Sequence, residues 1–175
     1  MIDNLLKATI RDIVDFPKPG IVFKDITPIL KNAHLCNLVI EEFATRLKEV
    51  HFDVVAGIES RGFLFGLMLA NHLGIPFVPI RKEGKLPAQT TKQSYDLEYG
   101  SATIEMHTDA FEPGARVLIH DDLLATGGTV VAASKLIQQL GGIIAGYSFV
   151  ISLDFLNGRQ RLLPYSNQLI SLVSY

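Results

Sequence analysis

Apolar residues recur along the chain with the spacing of α-helices in three segments. Residues 35–50, "LCNLVIEEFATRLKEV", place their apolar positions on one helical face. Residues 61–74, "RGFLFGLMLANHLG", repeat that spacing, and Gly74 is placed to end the helix. Residues 129–140, "TVVAASKLIQQL", predict a third helix with Thr129 near its cap.

Short apolar runs separate these helical segments and predict buried strands. They are "DVVAGI", "IPFVPI", "ARVLIHD" and "IIAGYSFVISL". Strands that alternate with helices indicate βαβ units, so we predict an α/β fold with a central, mostly parallel sheet flanked by helices. Ligands of such sheets bind at the carboxyl ends of the strands.

Two segments do not follow the alternation. The first thirty residues contain "DFPKPGIVFKDITPIL", whose prolines and glycine exclude a long helix. Residues 82–107 are polar and rich in turn formers, and they predict either a long loop or a mobile hairpin between two strands. Long loops inside compact domains are often functional.

Composition narrows the class of protein. A chain of 175 residues, 48% hydrophobic and 19% charged, is expected to fold as one globular domain over 1–175. A net charge of -2 argues against broad electrostatic binding of nucleic acid. The apolar runs are too short to cross a membrane, and one cysteine, Cys36, excludes an internal disulfide. We therefore expect a cytoplasmic protein.

The segment 117–129, "VLIHDDLLATGGT", combines a strand, two carboxylates and a turn of small residues. Backbone N–H groups of the turn, together with the start of the next helix, suit a phosphate group. That turn is Ala125, Thr126, Gly127, Gly128 and Thr129. Asp121 and Asp122 would repel phosphate alone, but they can accept hydroxyl groups of an attached ribose. The segment predicts a ribose 5-phosphate site.

This segment resembles the phosphoribosyl pyrophosphate (PRPP) signature of type I phosphoribosyltransferases. The resemblance implies a parallel core sheet, a small hood from about residues 1–30 and the C-terminal end, and a flexible loop at about 89–107. It also implies Mg²⁺ bound mainly through PRPP and pyrophosphate. Some basic residues of the family act across a subunit interface, which implies a homodimer.

Four further segments resemble the adenine-specific branch of that family: "DFPKPGIVFKDITPIL", "AGIESRGFLFG", "IRKEGKLP" and "YDLEYG". The implied reaction is purine salvage, in which adenine N9 displaces pyrophosphate from C1 of PRPP and gives AMP. The resemblance assigns residues 59–62 to a pyrophosphate loop, with Ser60 and Arg61 as binding residues. It adds a cationic group near the leaving group, consisting of Arg81, Lys82 and Lys85.

The same resemblance assigns the base and the proton transfer. Val22, Phe23 and Lys24 correspond to residues that stack on the purine and contact its edge through backbone groups, and Leu153 corresponds to an apolar residue of the adenine pocket. Many relatives have Arg where this chain has Lys24, and Lys lacks the planar fork of Arg. The resemblance therefore implies a contact of the Lys24 backbone with the base more strongly than a contact of its side chain.

Glu98 resembles the acid/base residue near purine N7, and Tyr99 resembles the aromatic that closes over the sugar. Asp121 and Asp122 then hold the ribose hydroxyls and place negative charge near a cationic sugar ring. The predicted catalytic residues are thus Glu98, Asp121, Asp122 and Arg61.

Three alternatives remain at this point. The first is transfer to hypoxanthine, guanine or xanthine, whose enzymes usually carry a lysine near the strand that is apolar here at residues 143–153. The second is a regulator that senses PRPP without catalysis, for which the chain lacks a basic face or a winged-helix segment. The third, a dinucleotide-dependent Rossmann enzyme, would need GxGxxG after the first strand, and that motif is missing.

Overall fold

The computed structural model describes residues 2–96 and 100–175. The described helices are α1 (Ile2–Thr9), α2 (Thr27–Leu30), α3 (Ala33–Leu47), α4 (Gly62–Leu73), α5 (Gly128–Gln139) and α6 (Gly158–Leu162). The strands are β1 (Arg11–Val14), β2 (Val22–Asp25), β3 (Val54–Ile58), β4 (Phe77–Lys82), β5 (Thr90–Asp96), β6 (Ser101–His107), β7 (Arg116–Leu124), β8 (Ile143–Ser152) and β9 (Leu169–Ser174).

The central sheet has seven strands in the order β5-β6-β4-β3-β7-β8-β9. β3 pairs in parallel with β4 and β7, and β8 pairs in parallel with β7 and β9. β6 pairs antiparallel with both β4 and β5. The predicted α/β class with a mostly parallel sheet is therefore confirmed.

The apolar core lies on both faces of this sheet, as expected where βαβ connections place helices on each side. One cluster joins α3 and α4 to residues of β3, β7 and β8, with Phe43, Phe65 and Leu69 fully buried. The other joins α5 to the opposite face, with Leu136 and Phe149 fully buried. β8 is covered on both sides, which explains why its sequence does not alternate.

The three predicted helices form, with small differences at their ends. α3 begins after Asn32, whose side-chain oxygen accepts a hydrogen bond from Leu35 N at 3.1 Å, as an N-cap does. α4 ends at Leu73 with Gly74 as its cap, as predicted. α5 begins at Gly128, so its cap is Gly127 rather than Thr129.

The two irregular segments form separate small units. β1 and β2 form a two-stranded antiparallel sheet outside the central one. Of the two alternatives for residues 82–107, the hairpin is correct, because β5 and β6 pair along seven residues each and extend the edge of the central sheet. Residues 97–99 lie outside the described residues.

Two expectations from composition concern membrane-spanning helices and the single cysteine. Within residues 2–96 and 100–175, none of the helices is long and apolar enough to cross a membrane. Cys36 is buried in α3, where its Sγ donates to Ile29 O at 3.4 Å, so it packs as a small core residue.

Candidate active site

The acidic pair lies at the carboxyl end of the central strand β7, next to the start of α4. Asp121 and Asp122 belong to the strand itself, which continues to Leu124. Gly62, the first residue of α4, packs directly against them: a Cβ there would lie 2.8 Å from His120 O and 3.0 Å from Asp121 Oδ1. The absence of a side chain at Gly62 therefore lets the two predicted motifs meet.

Arg61 connects two other predicted site residues. Its Nε lies 3.0 Å from Asp122 Oδ2, and its Cζ lies 4.8 Å from the centre of the Phe23 ring, over the ring face. A guanidinium in this position gains both ion-pair and cation–π stabilisation. The predicted base platform, pyrophosphate residue and ribose carboxylate thus form one chain of contacts.

The acidic pair is held in surroundings that disfavour its charge. Asp122 is only 3% exposed, and burial raises its pKa, which the Arg61 charge opposes. Burial also raises the pKa of Asp121, and the neighbouring Asp122 charge raises it further. Among the described residues, none donates a hydrogen bond to Asp122 Oδ2, since the Arg61 N–H at 3.0 Å forms an ion pair only. The Arg61 charge is therefore the main contact that favours the ionised form of Asp122.

The predicted phosphate turn, residues 125–129, is supported from behind by α6. Gly127 has φ +80, and a Cβ there would lie 3.0 Å from Gly158 O, so the turn requires glycine for both conformation and space. Arg161 Nη1 donates to Thr126 O at 3.1 Å. The backing by Gly158 and Arg161 was not predicted, because nothing in "NGRQRL" signals a partner so far away in sequence.

The hairpin reaches the same turn from the other side. Thr129 Oγ1 donates to Tyr95 OH at 3.2 Å, and Asp96 O lies 3.9 Å from the position of a Cβ on Gly128. The end of β5 therefore lies beside the phosphate turn. Glu98 and Tyr99, predicted for acid/base catalysis and for closure over the sugar, lie outside the described residues.

The predicted pyrophosphate loop and the cationic segment are joined by Glu59. The Glu59–Ser60 peptide bond is cis, and Ser60 is exposed. Glu59 Oε2 accepts hydrogen bonds from Lys82 N at 2.9 Å and from Arg81 Nε at 3.2 Å. Lys82 and Lys85 are exposed at the end of β4 and in the turn that follows. Glu59 was predicted only as part of the pyrophosphate loop, and its bonds to the cationic segment were not predicted.

The segment predicted to bind the base separates into two faces of β2. Phe23 contacts Phe16 edge-on at 5.2 Å and lies under Arg61. Lys24 is engaged elsewhere: its Nζ lies 2.7 Å from Asp12 Oδ1 and 3.8 Å from the centre of the Tyr175 ring. Val22 is exposed next to Phe23. The Lys24 side chain therefore anchors the β1–β2 unit, and only its backbone stays a predicted contact for the base.

Two further contacts fix the rim of the site. Leu153 follows β8 and donates its N–H to Leu124 O at 2.9 Å, which places it beside the end of β7. Asp25, at the end of β2, accepts from Thr27 N at 2.9 Å and Thr27 Oγ1 at 2.8 Å. The Thr27 backbone bond lowers the pKa of Asp25 despite its burial. Asp25 was not predicted as a structural residue of this rim.

A family model for the phosphoribosyl transferase domain matches residues 27–152. The chain belongs to the phosphoribosyltransferase family. An adenine phosphoribosyltransferase of Cytophaga hutchinsonii is 55% identical over 175 residues, 100% of this chain and 97% of the relative. The predicted family is thus confirmed, together with its type I fold.

Solved structures agree with this membership of the phosphoribosyltransferases. The crystal structure of adenine phosphoribosyltransferase from Thermoanaerobacter pseudethanolicus is similar with a TM-score of 0.96 and 51% identity, covering 100% of both chains. The Saccharomyces cerevisiae adenine phosphoribosyltransferase, complexed with adenine and D-2,5-dideoxy-2,5-imino-altritol 1,6-bisphosphate, gives a TM-score of 0.91 and 40% identity, covering 98% of each chain.

Proposed function

We propose that this chain transfers the 5-phosphoribosyl group of PRPP to adenine, giving AMP and pyrophosphate. The observation that carries the proposal is the chain of contacts Phe23–Arg61–Asp122 next to the turn 125–129. It brings an aromatic base platform, a cation and an acidic pair to the edge of the sheet where a phosphate turn begins. The names of the relatives favour adenine over hypoxanthine, guanine or xanthine, and an enzyme over a regulator.

The sugar phosphate occupies the centre of the proposed site. Backbone N–H groups of residues 125–129 and the start of α5 bind the 5-phosphate. Asp121 and Asp122 accept the ribose hydroxyls, and their negative charge stabilises an oxocarbenium-like ring in the transition state. Hydroxyl donation to a buried carboxylate also offsets part of the cost of its burial.

Adenine binds against Phe23 on one side and Leu153 on the other, with backbone groups of residues 22–24, including Val22, at its edge. N9 attacks C1 as the bond from C1 to the pyrophosphate oxygen breaks, with inversion at C1. The purine proton passes to Glu98, and Tyr99 covers the reacting sugar. These two roles follow from the family resemblance and stay predictions.

Pyrophosphate leaves toward the cationic end of the site. Arg61 and Ser60 lie on one loop, and Glu59 holds Arg81 and the Lys82 backbone beside that loop. Lys82 and Lys85 are exposed at the same end of the sheet. Positioned cations stabilise the charge that grows on the leaving group.

The predicted Mg²⁺ fits this arrangement as an ion that PRPP brings with it. In the described part of the chain there is no group of three or more His, Cys, Asp and Glu side chains that could hold a metal ion. We propose that oxygen atoms of PRPP and pyrophosphate hold Mg²⁺, whose bound charge offsets that of the pyrophosphate.

We also propose that the chain acts as a homodimer. Along α4, Leu64 is 41% and Leu67 is 55% exposed, which leaves an apolar strip on the helix that begins directly after Arg61. A second copy covering this strip would bring its own residues close to the pyrophosphate loop. Sedimentation analysis checks this: a monomer at micromolar concentration would contradict the proposal. The cytoplasmic location stays a prediction.

The test of the proposed function is a base-by-base assay. Purified protein with PRPP and Mg²⁺ is given adenine, hypoxanthine, guanine or xanthine, and nucleotide formation is followed by chromatography. We expect AMP from adenine and less than about 1% of that rate with the oxopurines, because unpaired buried polar groups reject them. No product from adenine, or a faster reaction with an oxopurine, would overturn the proposal.

A further inference from the structure

Glu105, in the middle of β6, is a buried carboxylate that the proposed reaction does not use. It is 2% exposed, between Ile104 and Met106, which belong to the core cluster around α5. Because side chains alternate along a strand, Glu105 points to the other face. There it meets the segment that connects β4 to β5.

Three hydrogen bonds from the protein hold this carboxylate. Oε1 accepts from Lys85 N at 2.9 Å and from Leu86 N at 3.0 Å, and Oε2 accepts from Thr90 Oγ1 at 3.1 Å. Burial alone would raise the pKa of Glu105, but these donors together with the Lys92 charge outweigh it, and the pKa lies below its usual range. Such a carboxylate stays ionised and fixes the two backbone N–H groups that point at it.

The peptide units around Lys85 are fixed from both sides. Its N–H is held by Glu105, and its C=O accepts from Arg81 Nη1 at 3.1 Å. Arg81 is the direct neighbour of Glu105 across the β4–β6 pairing, and its Nε is held by Glu59. A buried carboxylate thus links β6 to the turn that carries one proposed pyrophosphate residue and braces another.

We propose that Glu105 is a positioning residue for PRPP binding. It holds the turn 83–86 so that Lys85 and Arg81 face the pyrophosphate end of the substrate. This inference rests on the proposed function. Without Glu105, the N–H groups of Lys85 and Leu86 lose their acceptor, and the turn is free to take other conformations. Ordering it again on binding would weaken PRPP affinity.

The direction of the change in PRPP binding distinguishes a positioning role of Glu105 from an effect of its negative charge. Glu105 is an anion close to cations that meet an anionic substrate. If it acted only through its field, removing its charge would tighten PRPP binding. If it acts by holding the turn, removing it weakens PRPP binding.

The experiment measures both Michaelis constants in variants of the whole chain. We expect Glu105→Leu to raise the KM for PRPP about tenfold, since two backbone donors lose a charged acceptor, and to leave the KM for adenine within about twofold. Glu105→Gln keeps an oxygen acceptor and is expected to raise the KM for PRPP about threefold. Should Glu105→Leu fail to fold, Glu105→Gln and Thr90→Val carry the same test with smaller shifts.

Glu83→Leu is the matched control. Glu83 lies in the same turn but is exposed, and its carboxylate pairs with Lys92 Nζ at 2.8 Å. The KM of Glu83→Leu for PRPP should therefore stay within about twofold of the wild type. Coupling supplies the second arm. In a Lys85→Ala background, Glu105→Leu should raise the KM for PRPP by clearly less than it does in the wild type, since part of its effect acts through the Lys85 side chain that the turn positions.

Several results would overturn the inference while the wild type still makes AMP. They are an unchanged or lower KM for PRPP in Glu105→Leu, an equal rise in both Michaelis constants, or full additivity with Lys85→Ala. A wild-type protein that makes no AMP would overturn the proposed function itself, and the role of Glu105 in PRPP binding with it.

Discussion

Among the carboxylates buried near the proposed site, the acidic pair and Glu105 have opposite surroundings. Asp121 and Asp122 lie at the end of β7 with raised pKa values and with an oxygen, Asp122 Oδ2, that accepts no hydrogen bond from the described residues. Glu105 lies in β6 with three donors and a lowered pKa.

The difference separates a carboxylate that we propose to bind a ligand from one used by the fold. A buried polar group without partners costs stability, and active sites accept that cost when a substrate supplies the missing partners. A buried carboxylate with its donors in place stabilises the fold but has little capacity left for a ligand. Burial alone therefore does not identify a functional acid, since Glu105 and Asp122 are equally buried and differ in their donors.

The largest expected effect is that of Asp122→Asn on catalysis. Removing the charge beside the cationic sugar ring should lower kcat about 100-fold or more, while the melting temperature does not fall. Steady-state kinetics and thermal unfolding check this. Asp53→Asn is the control, since Asp53 is an exposed carboxylate that accepts from Arg116 N at 2.8 Å at the other end of the sheet. Equal losses of activity and stability in Asp122→Asn would contradict this prediction, because they would show that the acidic pair supports the fold as Glu105 does.

Glu98 is a third carboxylate in the comparison, and it is predicted to accept a proton rather than to bind hydroxyl groups. The Glu98→Gln variant tests that role. Without a base for the purine proton, kcat should fall about 100-fold. The affinity for PRPP, measured by titration calorimetry, should stay near the wild-type value. Wild-type turnover would remove Glu98 from the mechanism.

Glu105→Leu is expected to show the largest effect on stability. Two backbone donors left without an acceptor should lower the free energy of unfolding by about 2 kcal/mol at neutral pH. Because the pKa of Glu105 is lowered in the folded state, its stabilisation is present above the unfolded value of about 4.3 and is lost as the pH falls below it. Urea unfolding from pH 7 down to about pH 2 checks this, and a difference between wild type and variant that stays constant below pH 4 would contradict it.

Asp121→Asn should show the opposite and smallest effect. The Asn oxygen can still accept the Asp122 N–H, which is 2.9 Å from Asp121 Oδ1 in the wild type, while a buried charge is removed. The folded-state pKa is raised, so ionisation costs stability as the pH rises through it. Asp121→Asn should therefore be more stable than the wild type by about 1 kcal/mol at neutral pH, and the gain should shrink as the pH falls. A loss of stability in unfolding experiments at pH 7 would contradict the comparison.

Local sequence was sufficient for the elements that build the sheet. Apolar spacing predicted α3, α4, β3, β7 and β8, because each of these elements buries residues at positions set by its own period. The turn 125–129 was also predictable, since its small residues and its place between strand and helix lie within one segment.

The features that were missed depend on contacts between distant segments. Glu105 reads as the solvent face of an alternating strand in "TIEMH", and it is buried only because the segment after β4 folds over it. Lys24 lies in the quoted base segment, yet its ammonium group packs on Tyr175. Arg61 was predicted to bind pyrophosphate, but its place between Phe23 and Asp122 follows from the tertiary fold. Such pairings carry no local signal.

A crystal structure of the protein with AMP would test the proposed site most directly. We expect the phosphorus atom within the turn 125–129, the ribose hydroxyls on Asp121 and Asp122, and the adenine ring against Phe23. A phosphate bound elsewhere, or an acidic pair that touches Arg61 and no part of the nucleotide, would contradict the proposal that these carboxylates are kept for the ligand.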